Sequence, residues 1–476
     1  MPEQYEILRR GLTRRRFLHG TLATGAASIL LPGVWSQSAL AASVPVRHPH
    51  LQFGADPRRR MVVSWSTPQP VRRAAVRYRP AGSPVWSPPV PADSRTVPGV
   101  PTAYHHATLS GLEPGTSYDY VVGDPREGRR GTFTTAPARP RPFRFTAFGD
   151  QGVSANAALV TAAVAAQRPD FHFHVGDLCY AYSVGLGSLT PVPDDFQGDL
   201  FVEPRQWDAW LAQIERVAGR VPWMPTVGNH EMEPGYGPRG YEESLLRRFT
   251  LPGNGARVSG EPVVTYYFDY ANVRFIALDA NEANYEIPAN RGYLRGMQEV
   301  WLAERLRQAR RDPHLDWIVV GYHQCSYCTN LLHASDGGLR DRWDELFERY
   351  QVDLVINGHN HSYERSHPRL ARELGPLDEI RPREVDPGRD GPTFITAGSG
   401  GNARIERSAH PLSYVTADGG ARVPEAAPWS AVRYLDLSFI SVDVTPPRHG
   451  RTTMRVRALT PDGRRVDEVT LRRRRE

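Results

Sequence analysis

Hydrophobic and polar positions alternate in short runs from residue 44 to about residue 137, in "RMVVSWST", "AAVRYRP", "AYHHATLSGL" and "SYDYVVGD", with Gly and Pro between them. Period-two runs of this length, bounded by turn residues, predict a β-sandwich over 44–137. After the linker "APARPRP" the rhythm changes, from Phe143 onward, to strand, turn and helix. "FRFTAF" leads into "GDQG" and the helical "SANAALVTAAVAAQ"; "FHFHV" leads into "GDLCY"; "VPWMPTV" leads into "GNHE". "DWIVVGYH" runs through "QCSYCT" into the helical "LRDRWDELFERY", and "VDLVIN" runs into "GHNH". Between them lie a hairpin pattern, "YYFDYANVRFIALD", and the helix "MQEVWLAERLRQARR". Apolar strands alternating with amphipathic helices predict an α/β layered domain of βαβ units over 143–476. Residues 404 to 433 read as loop, and the strand patterns "YLDLSFISVDV" and "TMRVRALTPDGRRVDEVTL" close the domain.

Composition adds exclusions. The 476 residues include 42 Gly and 42 Pro, which suits a loop-rich globular chain. All 58 basic residues are Arg, so a Schiff-base lysine and a P-loop lysine are excluded. Near the N-terminus, "TRRRFLHGTLATGAASILLPGVWSQSALAA" carries the pair Arg14 and Arg15, then Phe17 and Leu18, a short apolar run and the small-residue site Ala39-Leu40-Ala41. This predicts a twin-arginine signal peptide over 1–42 and an extracellular, cell-wall or periplasmic destination. The apolar run is too short to span a membrane comfortably. Removal of the signal leaves about half of the formal +6, too little to argue for nucleic-acid or membrane binding. Twin-arginine export moves folded proteins, which suits a chain that loads a cofactor first. The three cysteines, Cys179, Cys325 and Cys328, allow at most one intrachain disulfide and leave its pairing open.

The polar clusters fall at the carboxyl ends of strand patterns, where α/β sheets bind ligands. One such cluster alone is a turn or a cap; five in order call for a shared purpose. Asp150, Asp177, Tyr180, Asn229, His230, His323, His359 and His361 offer carboxylate, phenolate, amide and imidazole groups, a set suited to hard or borderline transition metals. His359 and His361 are two residues apart on what reads as an extended strand end, so both can lean toward one place. They would touch different ions if two ions lie about 3.5 to 4 Å apart. Gly358 permits the close turn before them. His172 and His174 alternate with Phe on a strand and read as satisfied core or interface residues. "AGSGGN" lacks the first glycine of a nucleophile elbow and reads as a turn near the site. A cysteine hydrolase built on Cys325 and His323 would leave four clusters unexplained.

"GLEPGTSYDYVV" resembles the later strands of a fibronectin type III module. "GDQG", "GDLCY", "GNHE", "VGYH" and "GHNH" together resemble the ordered five-block signature of the purple acid phosphatases, within the metallophosphoesterase superfamily. With the sandwich ahead of the catalytic domain, most of residues 44–476 is similar to the plant-type two-domain architecture, in an exported, actinobacterial-like form. Carried over by position, the resemblance implies that Asp150, Tyr180 and His361 hold Fe(III), that Asn229, His323 and His359 hold a divalent Fe, Zn or Mn, and that Asp177 bridges the two. Two carboxylates and a phenolate then leave net positive charge for a hydroxide and a phosphate. It further implies a phosphate monoesterase in which a metal-bound hydroxide attacks phosphorus in line. His230, beside the ligand Asn229, is the expected group for orienting phosphate or protonating the leaving oxygen. Plant members carry paired histidines after "VxxH" that contact phosphate; this chain departs from them with one, His333. Glu364 and Arg365 are expected to support the ligating histidines. Two readings compete: a phosphodiesterase or nucleotide-cleaving enzyme on the same centre, and a non-catalytic cell-wall binding protein.

Overall fold

The computed structural model describes residues 44–123, 128–181, 205–232, 237–287, 290–329, 333, 335–368, 383–402, 413–415, 422–424 and 427–474. The expected signal peptide, with Arg14 and Arg15, lies outside the described residues.

Eight strands form the first unit: β1 (Arg47–Phe53), β2 (Arg60–Thr67), β3 (Ala75–Pro80), β4 (Val90–Pro91), β5 (Asp93–Thr96), β6 (Ala103–Ser110), β7 (Ser117–Val122) and β8 (Arg129–Thr134). They pair antiparallel as two sheets, β1-β2-β6-β5 and β4-β3-β7-β8, the expected sandwich. Leu51, Phe53, Val63, Trp65, Tyr104 and Val122 are buried in it. From His48 onward every residue of β1 is buried, because this strand packs on both sides. Phe53 meets Phe171 and Phe268 of the following domain, and His50 Nε2 lies 2.8 Å from the Arg248 carbonyl. His106 Nε2 reaches the neighbouring carbonyl of Arg247 at 3.0 Å.

The second unit contains β9 (Phe143–Phe148), β10 (Phe171–His174), β11 (Trp223–Pro225), β12 (Tyr266–Tyr270), β13 (Val273–Ala277), β14 (Trp317–Gly321), β15 (Ser335–Asp336), β16 (Leu354–Asn357), β17 (Tyr363–Ser366), β18 (Glu384–Val385) and β19 (Thr393–Ala397). Further on come β20 (Ser413–Val415), β21 (Arg422–Pro424), β22 (Ser430–Tyr434), β23 (Phe439–Arg448), β24 (Arg451–Leu459) and β25 (Arg465–Arg474). One seven-stranded sheet runs β11-β10-β9-β23-β24-β25-β18, another β12-β13-β14-β16-β19-β17-β22. They meet through aromatic rings: Phe145 and Phe171 each stand edge-on to Phe275 with centroids 5.0 Å apart. Such edge-to-face pairs suit the ring quadrupole and fill a core densely.

The Ser154 hydroxyl caps the helix Ala155–Ala166 by accepting from Ala157 N, and the helix Met297–Arg311 buries Leu302, Leu306 and Ala309 beside Ile276 and Val320. The helix Arg205–Ala218 is absent from the reading of the sequence, although Trp207, Trp210, Leu211, Ile214 and Val217 recur at helical spacing and are buried. The stretch read as loop over 404–433 contains β20, β21 and β22. Such short strands give little periodic signal, and β22 exists because β17 offers it a free sheet edge. Among the described residues no helix is long and apolar enough to cross a membrane.

Candidate metal centre

The carboxyl ends of β9, β10, β11, β14 and β16 converge, and each feeds one polar cluster into the same place. The loops that follow them bind one another. Asp150 N donates to the Gly176 carbonyl at 3.1 Å, Gly358 N to the His323 carbonyl at 2.9 Å, and His359 N to Asp150 Oδ2 at 2.7 Å. This mutual bracing matters because Asp150, Asp177, Tyr180 and His359 all have left-handed backbones, with φ of 59°, 52°, 56° and 66°. Each such residue costs about 1–3 kcal/mol and persists only where its surroundings over-determine it. His359 is therefore in a turn and not on an extended strand end. The turn, continued by Asn360 N donating to the Gly358 carbonyl at 2.7 Å, aims His359 and His361 instead of strand alternation.

Two groups of donor atoms result. In the first, Tyr180 Oη lies 3.1 Å from Asp150 Oδ1 and 3.1 Å from His361 Nε2, which is itself 3.3 Å from Asp150 Oδ1. In the second, His323 Nε2 lies 3.1 Å from Asp177 Oδ2 and 3.3 Å from His359 Nδ1. His323 Nε2 also stands 3.9 Å from Asp150 Oδ1, so the two groups adjoin. The His323 ring is held by Nδ1, 2.8 Å from the Val175 carbonyl; a carbonyl only accepts, so Nδ1 carries the proton and Nε2 faces the carboxylates.

Electrostatics here favours positive charge. Burial alone would lower His323, yet Asp177 and Asp150 push it up to about 10, so its Nε2 sits where a cation, proton or metal, is strongly favoured. Burial and the charges of Asp150 and Asp177 drive the Tyr180 phenol well above its ordinary range, so a phenolate there requires a strong positive counter-charge. Asn229 Oδ1 is buried with no hydrogen-bond partner among the described residues. An unpaired buried oxygen costs about 1–3 kcal/mol, and ligation would remove that cost. Carboxylate, phenolate, amide and imidazole donors of this kind fit a pair of hard or borderline metal ions.

Glu231 locks two of the loops together. Its Oε2 accepts from Gly228 N at 2.7 Å and Asp177 N at 2.9 Å, and its Oε1 from Leu178 N at 2.9 Å. Burial and the Asp177 charge raise its carboxyl to about 7, with the backbone donors pulling the other way. The approach is close enough to demand glycine: a Cβ on Gly228 would overlap Asp177 Oδ1, and one on Gly358 would lie 2.7 Å from both Asp150 Oδ2 and the Val175 carbonyl.

His230 sits at the rim of the centre. Its N–H donates to Asp177 Oδ1 at 3.0 Å, its Nε2 is 3.8 Å from Asp177 Oδ2, and its ring lies 4.4 Å from that of Tyr180. The His333 ring lies tilted against that of His359, with centroids 3.8 Å apart. "AGSGGN" does turn against the site, with Asn402 N donating to the Asp150 carbonyl at 3.2 Å. Cys179, Cys325 and Cys328 are all buried, and Cys325 Sγ lies 3.0 Å from the Gly358 carbonyl.

Three expectations need correction. Glu364 does not support a ligating imidazole: it accepts from Thr329 N at 2.8 Å and from Ser430 Oγ at 2.5 Å, tying β17 to a loop and to β22. Arg365 pairs with Asp467 at 2.6 Å. The imidazole supports are instead the Val175 carbonyl and Glu286, whose Oε2 lies 2.8 Å from His359 Nε2. Nor is His174 a satisfied core histidine. His172 Nδ1 is 3.0 Å from Thr146 Oγ1 while its Nε2 has no hydrogen-bond partner among the described residues; neither nitrogen of His174 has one, and burial lowers the His174 pKa to about 3. Glu286 and Glu231 are the site residues the sequence reading missed. Glu231 stands inside the quoted "GNHE", whereas Glu286, in "NEANYE", has no spacing that ties it to the five clusters.

Family models agree with this architecture. The calcineurin-like phosphoesterase model matches residues 121–363, and the model of the purple acid phosphatase N-terminal domain matches residues 46–136. A Mycobacterium tuberculosis protein described as uncharacterized is 34% identical, over 95% of this chain and 93% of its own. Purple acid phosphatase 23 of Arabidopsis thaliana is 33% identical, over 63% of this chain and 62% of its own. Among solved structures, a purple acid phosphatase from yellow lupin seeds superposes with a TM-score of 0.66 at 20% identity, covering 90% of this chain and 75% of that one. PhoD does so at 0.58 and 15%, covering 89% and 93%. Both of these likenesses are of fold. Fold, converging donors and family model together define a metal-dependent phosphoesterase of the calcineurin-like class. Within that class the chain belongs to the purple acid phosphatases, a family that implies a dimetal centre.

Proposed function

We propose that the chain is an exported acid phosphatase that hydrolyses phosphate monoesters at a binuclear centre of Fe(III) and a divalent Fe, Zn or Mn. The observation that carries this reading is the meeting of Tyr180 Oη, Asp150 Oδ1 and His361 Nε2 within 3.1–3.3 Å of one another. A phenolate is a hard donor that favours Fe(III), so these three would hold the ferric ion. Asn229, His323 and His359 would hold the divalent ion, with Asp177 between the two. When bound, the pair of ions would supply charge for the phosphate and lower the pKa of water.

The chain's own groups divide the remaining work. Asp177 fixes His230 at the rim by accepting its backbone N–H, and the half-buried ring, its Nε2 3.8 Å from Asp177 Oδ2, would give a proton to the leaving oxygen. His333 supplies a second ring on the substrate side. Export rests on Arg14 and Arg15 and the small-residue site that follows them.

The test is metal analysis, a visible spectrum and turnover of purified protein. Two metals per chain, at least one of them iron, a phenolate-to-iron absorption band and faster hydrolysis of nitrophenyl phosphate than of its diester support the reading. A colourless, fully active protein containing only zinc would refute the ferric assignment, and faster diester cleavage would favour the phosphodiesterase.

A further inference from the structure

Glu286 follows β13 in a loop that belongs to none of the five clusters, yet it reaches two of the site's imidazoles at once. Its Oε2 is 2.8 Å from His359 Nε2, and its Oε1 is 2.8 Å from His333 Nδ1. The His333 and His359 rings lie against each other with centroids 3.8 Å apart, tilted by 41°. The Glu286 side chain is 11% exposed and the His359 side chain 4%, so little water competes for that contact, while the His333 side chain, 31% exposed, is the more solvated partner.

A carboxylate oxygen accepts and does not donate. The ring nitrogens that face it therefore carry the protons: Nε2 on His359 and Nδ1 on His333. On His359 this leaves the Nδ1 lone pair turned toward His323 Nε2 and the divalent position. On His333 it leaves Nε2 as the ring nitrogen outside the pair. One carboxylate thus fixes the tautomer of a metal-side ring and of a substrate-side ring.

We propose that Glu286 is a positioning residue for both halves of the reaction, orienting His359 toward the divalent metal and His333 toward the phosphate. This rests on the reading that the centre is binuclear and takes phosphate. It accounts for a single histidine where the plant pattern has two: His333 is held from the side by a carboxylate. In this role Glu286 acts through the two rings; the same three side chains, Glu286, His333 and His359, also lie close enough to hold an ion, which is the rival to be tested.

The test measures binding and not turnover, on full-length protein carrying Glu286→Gln, His333→Ala, or both. Gln keeps the size of Glu but presents one donor group where two acceptors are needed. Zinc affinity is measured by competition with a chromophoric chelator, and inorganic phosphate affinity by calorimetry on protein with both sites filled. Glu286→Gln should weaken zinc binding about 10- to 100-fold, the usual cost of removing the partner of a ligating histidine. His333→Ala should leave zinc affinity unchanged. Each single variant should weaken phosphate binding, and the double variant should lose no more than the weaker single, because both act through one ring. Unchanged zinc affinity in Glu286→Gln, or phosphate losses that multiply in the double variant, overturns the shared role. So does a third ion in the native protein that Glu286→Gln removes, since Glu286 would then be a ligand. A native protein that binds zinc and phosphate but hydrolyses no ester would sink the phosphatase reading and leave these measurements to decide Glu286.

Discussion

The Glu231 carboxylate and the backbone N–H of Asp177 are joined at 2.9 Å, and through that bond the loop after β11 sets the position of the loop after β10. Gly228 and Leu178 donate to the same carboxylate. Replacing Glu231 by Ala strands three buried N–H groups at about 1–3 kcal/mol each, so a loss of at least about 3 kcal/mol is expected. Chemical unfolding with metal analysis checks it, and a variant with native stability and a full metal complement would refute the role of Glu231.

A single methyl group should do comparable damage to activity alone. The Cβ of Gly228→Ala would overlap Asp177 Oδ1 and must push that carboxylate aside. Displacements near 1 Å at a reacting centre cost about 10²-fold in rate. Steady-state turnover of nitrophenyl phosphate is the measurement, and a loss under about threefold would mean that the loop absorbs the methyl group.

Asn229 and His230 are neighbours with separable duties. The buried Oδ1 of Asn229 has no hydrogen-bond partner among the described residues, so as a ligand it would be satisfied and Asn229→Ala should lower metal content. His230→Ala should keep both metals and the colour while slowing turnover by about 10² to 10⁴-fold, most for alkyl phosphates, whose leaving oxygen needs a proton. If His230→Ala loses a metal, or slows alkyl and nitrophenyl esters equally, its role as acid fails.

Acid should loosen the join between the two domains. Burial and the nearby Arg95 charge hold His106 well below 6.5, with His50 and His105 also close by, and its Nε2 meets the Arg247 carbonyl across the join. A histidine depressed in the folded state binds its proton more readily when unfolded, so the stability it contributes is complete above pH 6.5 and declines as pH falls below it. The decline is about 1.4 kcal/mol per pH unit while the folded ring stays neutral. His106→Gln, which cannot titrate, should therefore show a shallower fall in urea-unfolding free energy between pH 6.5 and 5 than the native chain. Parallel profiles would assign the acid sensitivity elsewhere.

The five clusters could be read because each is contiguous and each ends a strand: Gly-Asp or Gly-Asn-His after an apolar run announces itself without knowledge of the fold. Residues that serve the site from elsewhere gave no such signal. Glu286 lies in a loop after β13 and meets His359 only because β13 and β14 are parallel neighbours, with β16 next in the sheet. Nearness in sequence to His361 pointed to Glu364, but β17 pairs with β19 and β22 and turns that carboxylate toward Thr329 and Ser430. His359 and His361 were read as strand neighbours, while a left-handed φ at His359 depends on tertiary bracing that one strand does not encode. The helix Arg205–Ala218 was legible in the helical spacing of Trp207, Trp210, Leu211, Ile214 and Val217.

The strand that delivers Asp150 cannot be finished early in synthesis. β9 lies between β10 and β23, and Phe143 to Ala147 pair with Val444 to Ile440, residues translated some hundreds of positions later. Contacts of such long range form slowly, because the intervening chain must be ordered before they can repay it. While the ribosome still holds residues 440–444, β9 has an open apolar edge and the Asp150 turn lacks half of its foundation. The sheet that carries the Asp150 turn can thus be completed only after β23 has been made, so one side of the metal-binding corner rests on a strand from the far end of the domain.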